Sequence, residues 1–352
     1  MDPISRVVAA GAAGAAGAAK VDIAVASKAS PYILAYPFDD GFGSKYSNPS
    51  TLPAGAGYRC RFNSDGSYLA VGHSRSPSST IGLRVYAWTL GTGFGSKYSD
   101  PSPNLATDVL SMAFSPSSDV ILLGTQLYPY TQAYPWSASG FGSKYSDPST
   151  ALNSQANDCD FHPDGNAVVF GVNASGRGVQ AHAWSSGYGS KYSDPSTLPT
   201  SRGYGARFSP DGNDVAVAHI SSPYISVYPW SNGFGSKYSN PSTYPAGHGR
   251  SVAFSPDSDA IIVGHDTSPF ITAYPWNSGF GTKYSNPSTL PGESAEGGVD
   301  FHPEGTAVAA AHYGSPYVTA YPFDSSTGFG TKYSNPSTLP SSTGSGVAFS
   351  GR

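Results

Sequence analysis

The chain has 352 residues, a formal net charge of −4 and only 12% charged residues. Its 24 tyrosines, 17 phenylalanines, 42 glycines and 30 prolines favour an all-β protein with many turns, because aromatic residues prefer strands while glycine and proline form turns. The sequence lacks the basic patch of a nucleic-acid binder, the run of about 20 apolar residues of a membrane span and the cysteines of a disulfide framework. We therefore expect no nucleic-acid partner and no membrane insertion.

Residues 1–20 form a low-complexity segment in which single glycines separate pairs of alanines. Its apolar run, residues 7–19, is too often interrupted and has too little positive charge before it for a secretory signal peptide. Such a segment cannot bury a core, so it is either a flexible tether or an arm that becomes ordered on a partner. The sequence predicts an N-terminal arm over residues 1–20 and one domain over residues 21–352.

A ten-residue stretch, Gly-Phe-Gly-Ser-Lys-Tyr-Ser-Asn-Pro-Ser at residues 41–50, recurs along the chain with small variations. The tyrosines of its seven copies are Tyr46, Tyr98, Tyr145, Tyr192, Tyr238, Tyr284 and Tyr333. They are separated by 52, 47, 47, 46, 46 and 49 residues. A period in this range predicts a solenoid, a propeller or another tandem array.

Each repeat contains four short strands, most clearly in the sixth copy. Residues 251–255 alternate apolar and polar, residues 260–263 form a buried run, and residues 270–274 and 280–284 supply two further strands. Four short strands joined by tight turns are typical of one antiparallel blade. A phenylalanine ends the first strand of every unit, at Phe62, Phe114, Phe161, Phe208, Phe254, Phe301 and Phe349.

The two ends of the chain complement each other. The first unit starts with a second strand at residues 21–26, and the last strand, residues 346–350, is a first strand with no successor. An open array would leave both sheet edges exposed, which sheet proteins avoid. The sequence therefore predicts an all-β, closed seven-bladed β-propeller of four-stranded antiparallel blades, whose first blade is completed by the C-terminal strand.

The motif Val-Ala-Phe-Ser-Pro-Asp-Ser at residues 252–258 is followed by Ile-Ile-Val-Gly and by a strand that ends in tyrosine. This pattern resembles the WD-repeat class of β-propellers over residues 21–352, and that class also closes its ring with both chain ends. The Trp-Asp dipeptide of the class is replaced here by Tyr-Pro, as at residues 274–275. The buried hydrogen-bond network of the family is therefore not carried over.

Two narrower resemblances concern tailed bacteriophages. The sequence Lys-Tyr-Ser-Asn-Pro-Ser-Thr-Leu-Pro at residues 45–53 looks like the repeats of proteins that such phages encode. Residues 1–14 are similar to the start of several phage virion proteins. The resemblance implies a non-enzymatic virion structural protein: a capsid decoration, fibre or tail-associated head. Its arm would contact other virion proteins, and its disc would form an outward-facing platform for protection or host-surface adhesion.

No pattern of an active site or a metal site is present. There is no nucleophile elbow and no phosphate loop, so we predict no catalytic residue, no cofactor and no enzymatic activity. Four histidines follow the second strands of their units, at His73, His219, His265 and His312, where three other units have Lys28, Thr125 and Asn173. Spread around a ring, they are too far apart to share an ion. We interpret them as partners of the adjoining turns and predict no metal.

Charged residues also recur with the repeat. The motif lysines are Lys45, Lys97, Lys144, Lys191, Lys237, Lys283 and Lys332. On an outermost strand they either discourage edge-to-edge aggregation or form a rim of cations for an acidic partner. On the innermost strands Asp160 and Arg207 belong to neighbouring units, and we predict that they form an ion pair.

The loops that precede the first strands differ most between copies, which suggests a recognition surface on one face of the disc. Its candidate residues are Arg202, His248, Glu293 and Glu296. Five tryptophans at equivalent positions are the other candidates: Trp88, Trp136, Trp184, Trp230 and Trp276. They either pack within the blades or stack on sugar rings. The alternative function is therefore a soluble, lectin-like propeller that binds a host-surface glycan.

Overall fold

The computed structural model describes residues 21–75, 82–102 and 107–351. The predicted arm, residues 1–20, lies outside the described residues. In the described ranges every regular element is a β-strand, and the strands form seven antiparallel sheets. No helix in these ranges is long and apolar enough to cross a membrane.

Each sheet is one blade, and its strands follow the chain from the centre outwards, except that the last strand of the chain is the innermost strand of blade 1. The innermost strands are β4 (Gly57–Phe62), β8 (Val109–Phe114), β12 (Ala156–Phe161), β16 (Gly203–Phe208), β19 (Gly249–Phe254), β22 (Gly298–Phe301) and β26 (Gly344–Phe349). The second strands are β1 (Val21–Ser27), β5 (Tyr68–His73), β9 (Val120–Thr125), β13 (Ala167–Val172), β17 (Asp214–His219), β20 (Ala260–His265) and β23 (Ala307–Ala311).

The third strands are β2 (Ile33–Asp39), β6 (Leu83–Thr89), β10 (Thr131–Ser137), β14 (Val179–Trp184), β18 (Ile225–Pro229), β21 (Ile271–Pro275) and β24 (Val318–Asp324). Five blades have an outermost strand, namely β3 (Gly41–Phe42), β7 (Gly93–Lys97), β11 (Gly140–Phe141), β15 (Tyr188–Lys191) and β25 (Gly328–Phe329). Blade 1 consists of β26, β1, β2 and β3, and blades 2 to 7 follow in chain order.

The two chain ends close the ring, as predicted. β26 pairs antiparallel with β1, with Val347 opposite Val25 and Phe349 opposite Ile23. Each innermost strand contacts those of the two adjacent blades, including β22 with β26 and β26 with β4. The chain is a closed seven-bladed β-propeller.

The outermost strands are shorter than the repeat predicted, and proline explains the difference. Blades 5 and 6 keep only an isolated bridge at this edge, and blades 1, 3 and 7 keep two residue pairs. In all five, a proline such as Pro275 lies on the third strand and cannot donate a hydrogen bond outwards. Blades 2 and 4 have Ala87 and Ala183 at this position, and their outermost strands, β7 and β15, have five and four residues.

The recurring tyrosine of the repeat joins each blade to the next. The Tyr46 ring of blade 1 meets the Trp88 ring of blade 2 edge-on, with centroids 5.7 Å apart. The same contact recurs in Tyr98–Trp136, Tyr145–Trp184, Tyr192–Trp230, Tyr238–Trp276, Tyr284–Phe323 and Tyr333–Phe38. Edge-to-face aromatic pairs add to the apolar area that each contact buries. Each copy of the motif therefore supplies an aromatic contact to one of the seven inter-blade interfaces.

A second inter-blade contact uses the buried tyrosine of the third strand. In blade 6 the Tyr274 hydroxyl donates a hydrogen bond of 2.7 Å to the carbonyl of Thr243 in the preceding blade. Equivalent bonds link Tyr36–Thr338, Tyr86–Thr51, Tyr228–Thr197 and Tyr321–Thr289. These bonds explain why the Pro-Ser-Thr sequence follows the motif tyrosine.

Replacing Tyr274 by Phe is expected to lower the free energy of unfolding by about 1 kcal/mol, because it leaves a partly buried carbonyl without its donor. Urea denaturation measures the change. Tyr244→Phe is the control, since Tyr244 is exposed, and it should shift the midpoint little. Equal effects of the two substitutions would contradict the stabilising role of the inter-blade bond.

The repeated lysines stabilise local turns. In all seven copies the ammonium group donates to the Asn or Asp three residues later, as Lys45 does to Asn48. In six copies it also donates to the carbonyl of the motif tyrosine. In blades 2, 3 and 4 the acceptor is an aspartate, which neutralises the lysine. The rim therefore does not present seven unpaired cations.

Candidate functional site

Two cavities lie at the two ends of the central channel. The bulge-side basin, about 230 Å³, is bordered by the first residues of the innermost strands. The phenylalanine-side basin, about 450 Å³, is bordered by their last residues and by the prolines of the following turns. Each basin receives residues from every blade, so neither can be recognised as a contiguous motif in the sequence.

β-Bulges aim side chains into the bulge-side basin. In six innermost strands the pairing register skips the second residue, which is left unpaired and lines the basin. These residues are Tyr58, Leu110, Asn157, Tyr204, Arg250 and Ser345. Bulges commonly redirect a side chain next to a functional site. Each lies four residues before the phenylalanine that ends its strand, and this offset is the sequence signal that could have identified them.

One carboxylate lines this basin within the described chain, and it is held from both sides. Glu296 accepts a hydrogen bond of 2.9 Å from the Tyr313 hydroxyl, and its other oxygen lies 3.3 Å from the guanidinium of Arg250. Burial, followed by the bond to Glu296, raises the pKa of Tyr313 to about 12. Arg250 is itself oriented by Asp266 at 3.2 Å, which also lies 2.8 Å from His248. The result is a charged network that spans blades 6 and 7.

Two cations line the neighbouring wall, on blades 1 and 2. The ammonium of Lys28 lies 3.7 Å above the centre of the Tyr58 ring. All side-chain hydrogen bonds of Arg59 within the described chain use one nitrogen, Nη1, and all go to backbone carbonyls, including those of Ser345 and Gly297. In the same part of the chain, neither cation has a carboxylate within 4.0 Å.

The burial of these cations has an electrostatic consequence. Burial, together with repulsion by Arg59, lowers the pKa of Lys28 to about 8, although Asp108 opposes the shift. Burial also lowers the pKa of Arg59. Cations that are withdrawn from water without a carboxylate partner favour the arrival of a negatively charged or electron-rich group. The bulge-side basin therefore combines an oriented carboxylate with a wall that attracts negative charge.

Arg207, in the channel between the basins, forms an ion pair with a different aspartate from the predicted one. Arg207 pairs at 2.8 Å with Asp158, and not with Asp160. Asp160 instead accepts a hydrogen bond of 3.0 Å from the backbone N–H of Phe208. Both aspartates face the channel because they are two residues apart on one strand, and the long Arg207 side chain reaches the nearer of them.

Two of the repeated histidines make side-chain hydrogen bonds to the third strand of their own blade. His219 and His265 bond Ser226 and Thr272 on the adjoining strands, at 3.0 and 2.9 Å. Burial lowers the pKa of both imidazoles to about 4. The strand register corrects two assignments, because Ser27 and Val172 occupy the positions given to Lys28 and Asn173. The described residues contain no group of three or more His, Cys, Asp or Glu side chains that could hold a metal ion.

The candidate recognition residues separate into three groups. Glu296 lines the bulge-side basin, and His248 reaches it through Asp266. Arg202 and Glu293 are exposed and contribute no lining side chain. The five tryptophans are 3–7% exposed, since each is packed between blades. Trp88, Trp136, Trp184, Trp230 and Trp276 therefore offer no exposed face for a sugar ring. Sequence reasoning did not identify Lys28, Arg59, Arg250 or Tyr313 as site residues.

No protein-family model matches the chain, and no curated protein matches it. Solved structures do. A candidate 6-phosphogluconolactonase from Bacteroides uniformis matches with a TM-score of 0.69 and 14% identity, over 94% of this chain and 99% of its own. The periplasmic gluconolactonase PpgL of Pseudomonas aeruginosa matches with 0.67 and 14%, over 94% and 99%. A chain of the mitotic checkpoint complex matches with 0.57 and 13%, over 83% and 82%. At such identities the likeness shows the fold alone.

These neighbours contradict two expectations from the sequence. The chain was predicted to be a non-enzymatic phage virion protein and therefore not an enzyme, but three of the propellers that it matches over 94% of its length are named as lactonases or candidate lactonases. The absence of a catalytic motif was a weak argument, because a propeller assembles its site from single residues of several blades. The lectin-like alternative required exposed tryptophans, which the structure buries.

Proposed function

We propose that the protein hydrolyses the lactone of a sugar acid in the bulge-side basin. The observation that carries the proposal is that Glu296, whose carboxylate is held by Tyr313 and Arg250, lines the same basin as Arg59, whose guanidinium is fixed by the backbone carbonyls of Glu296 and Gly297. Polar side chains such as Asn157 and Tyr204 complete the lining and suit a ring rich in hydroxyl groups. The lactonase names of the structural neighbours agree with this chemistry.

Each of these residues has a separate role in the reaction. Glu296 accepts a proton from water, and the water oxygen attacks the lactone carbonyl carbon. Arg59, whose Nη2 makes no hydrogen bond within the described chain, stabilises the negative charge that develops on the carbonyl oxygen. The bond between the carbonyl carbon and the ring oxygen then breaks, and the ring oxygen takes up a proton. Arg250 and Tyr313 keep the carboxylate in position throughout.

The proposal is tested by acid release from glucono-δ-lactone and from its 6-phosphate ester, after subtraction of the spontaneous rate. Glu296→Gln keeps the size of the side chain but removes the proton acceptor. We expect it to lower kcat about 10²- to 10⁴-fold. Glu293→Gln is a matched control, because Glu293 belongs to the same loop but is exposed, and it should keep the wild-type rate.

Two results would overturn the proposal. One is a wild-type protein that accelerates neither lactone. The other is an equal rate for Glu296→Gln and Glu293→Gln. Thermal melts of both variants should coincide with that of the wild type, so that a lost activity is not mistaken for a lost fold.

A further inference from the structure

The geometry points to Lys28 as the group that gives its proton to the ring oxygen when the lactone opens. This inference rests on the proposed function and adds a second acid–base residue to it. Lys28 follows β1, on blade 1, and its ammonium group lines the same basin as Glu296 of blade 7. Because blades 7 and 1 are neighbours in the ring, a single small substrate can contact both side chains.

The position of the ammonium group is set by its surroundings. Tyr58, at the bulge of β4, places its ring 3.7 Å beneath Lys28. The Tyr58 hydroxyl bonds Asp108 at 3.3 Å, and Asp108 in turn pairs with Arg75. Lys28 is therefore supported by an aromatic face but keeps its N–H groups for the basin, and it has no carboxylate within 4.0 Å in the described residues.

The charged groups around Lys28 make it a good acid. Burial and the adjacent Arg59 destabilise the ammonium form, while Asp108 stabilises it, and the pKa is lowered to about 8. A catalytic acid transfers its proton best when its pKa is near the working pH. Lys28 is still mostly protonated at pH 7 and gives up its proton far more readily than an ordinary lysine.

The proton balance of the reaction calls for a proton donor in addition to the proton acceptor Glu296. Glu296 removes one proton from water as the new carbon–oxygen bond forms. When the ring carbon–oxygen bond breaks, its electron pair remains on the ring oxygen, which takes the proton from Lys28. The neutral Lys28 amine then recovers a proton from solvent or from Glu296, and the product leaves as a carboxylate with release of one proton.

The test is the pH dependence of kcat for the wild type, Lys28→Met and Lys28→Arg between pH 5.5 and pH 9.5. The wild-type kcat is expected to fall above about pH 8, where Lys28 loses its proton. Lys28→Met should lower kcat about 10²-fold and abolish this alkaline limb. Lys28→Arg keeps the charge but cannot release a proton in this range, so it should also be slow and lack the limb. Lys45→Met, in the outer part of the same blade, is the control.

The outcomes separate this inference from the proposed function. A wild type without lactonase activity overturns both. A wild type that is active while Lys28→Met keeps kcat and the alkaline limb overturns the inference alone. A rise in KM for the phosphorylated lactone only, with kcat unchanged, would make Lys28 an anion-binding residue and would also overturn its role as proton donor.

Discussion

Replacing Arg207 by Met is expected to lower the free energy of unfolding by about 3–5 kcal/mol at pH 7, since it leaves the charge of Asp158 buried without its partner. The two side chains are 11% and 6% exposed, and their charged atoms are 2.8 Å apart. Arg207 also donates to the carbonyls of Cys159 and Ala206, so three groups lose a donor at once. Urea denaturation measures the change.

The loss should depend on pH with a definite sign. Burial raises the pKa of Asp158 to about 6, against the attraction of Arg61 and Arg59, whereas the unfolded value is about 3.9. A carboxyl group with a raised folded pKa favours the native state most below the unfolded pKa, and this contribution is lost as pH rises through about 6. The variant should therefore be closer to the wild type at pH 5 than at pH 7.

The double variant Asp158→Asn with Arg207→Met removes both charges and is expected to recover part of the loss. Recovery to a stability above that of Arg207→Met alone supports the pair. Equal instability of the single and double variants would instead assign the loss to packing around Arg207. A single variant as stable as the wild type at pH 7 would contradict the ion pair altogether.

Removing the C-terminal strand is expected to abolish the cooperative fold. β26 supplies the innermost strand of blade 1, and Phe349 packs against Phe38 with ring centroids 5.0 Å apart. Without it the inner edge of β1 is unpaired, and the circle of innermost strands is interrupted between β22 of blade 7 and β4 of blade 2. A chain that ends at residue 343 should lose its near-ultraviolet circular dichroism and its cooperative melt, and it should aggregate through the exposed edge.

A chain that ends at Gly351 retains all of β26 and is the control, with an expected melt like that of the full chain. A truncated chain that remains monomeric and melts cooperatively would show that six blades and an open edge suffice for folding. That result would contradict the stabilising role of ring closure.

Much of the fold followed from the repeat. The seven motif tyrosines and the seven strand-ending phenylalanines indicated seven blades, and the incomplete first and last units indicated the pairing of β26 with β1. Shortening of the outer strands was not predicted, although Pro275 and its equivalents account for it. The adjacency of the strands that carry Asp160 and Arg207 was predicted, but the true partner, Asp158, is two residues away.

The candidate site was harder to predict. Glu296 was selected because it lies in one of the loops that differ most between copies, and it lines the bulge-side basin. Lys28 was assigned to a histidine position that Ser27 occupies. Arg250 and Tyr58 lie at bulges, where the two-residue alternation of a strand fails. Their direction therefore could not be read from the spacing of apolar residues.

The sequence by itself determined the number of blades, the antiparallel meander within each and the contact that joins each blade to the next, because these depend on periodic and local interactions that every copy repeats. Only the tertiary structure decided what lies in the channel. Its residues come from blades that are distant in sequence, and bulges and side-chain reach determine which of them meet. Lys28, Arg59, Arg250 and Glu296 become one cluster only when the ring has closed.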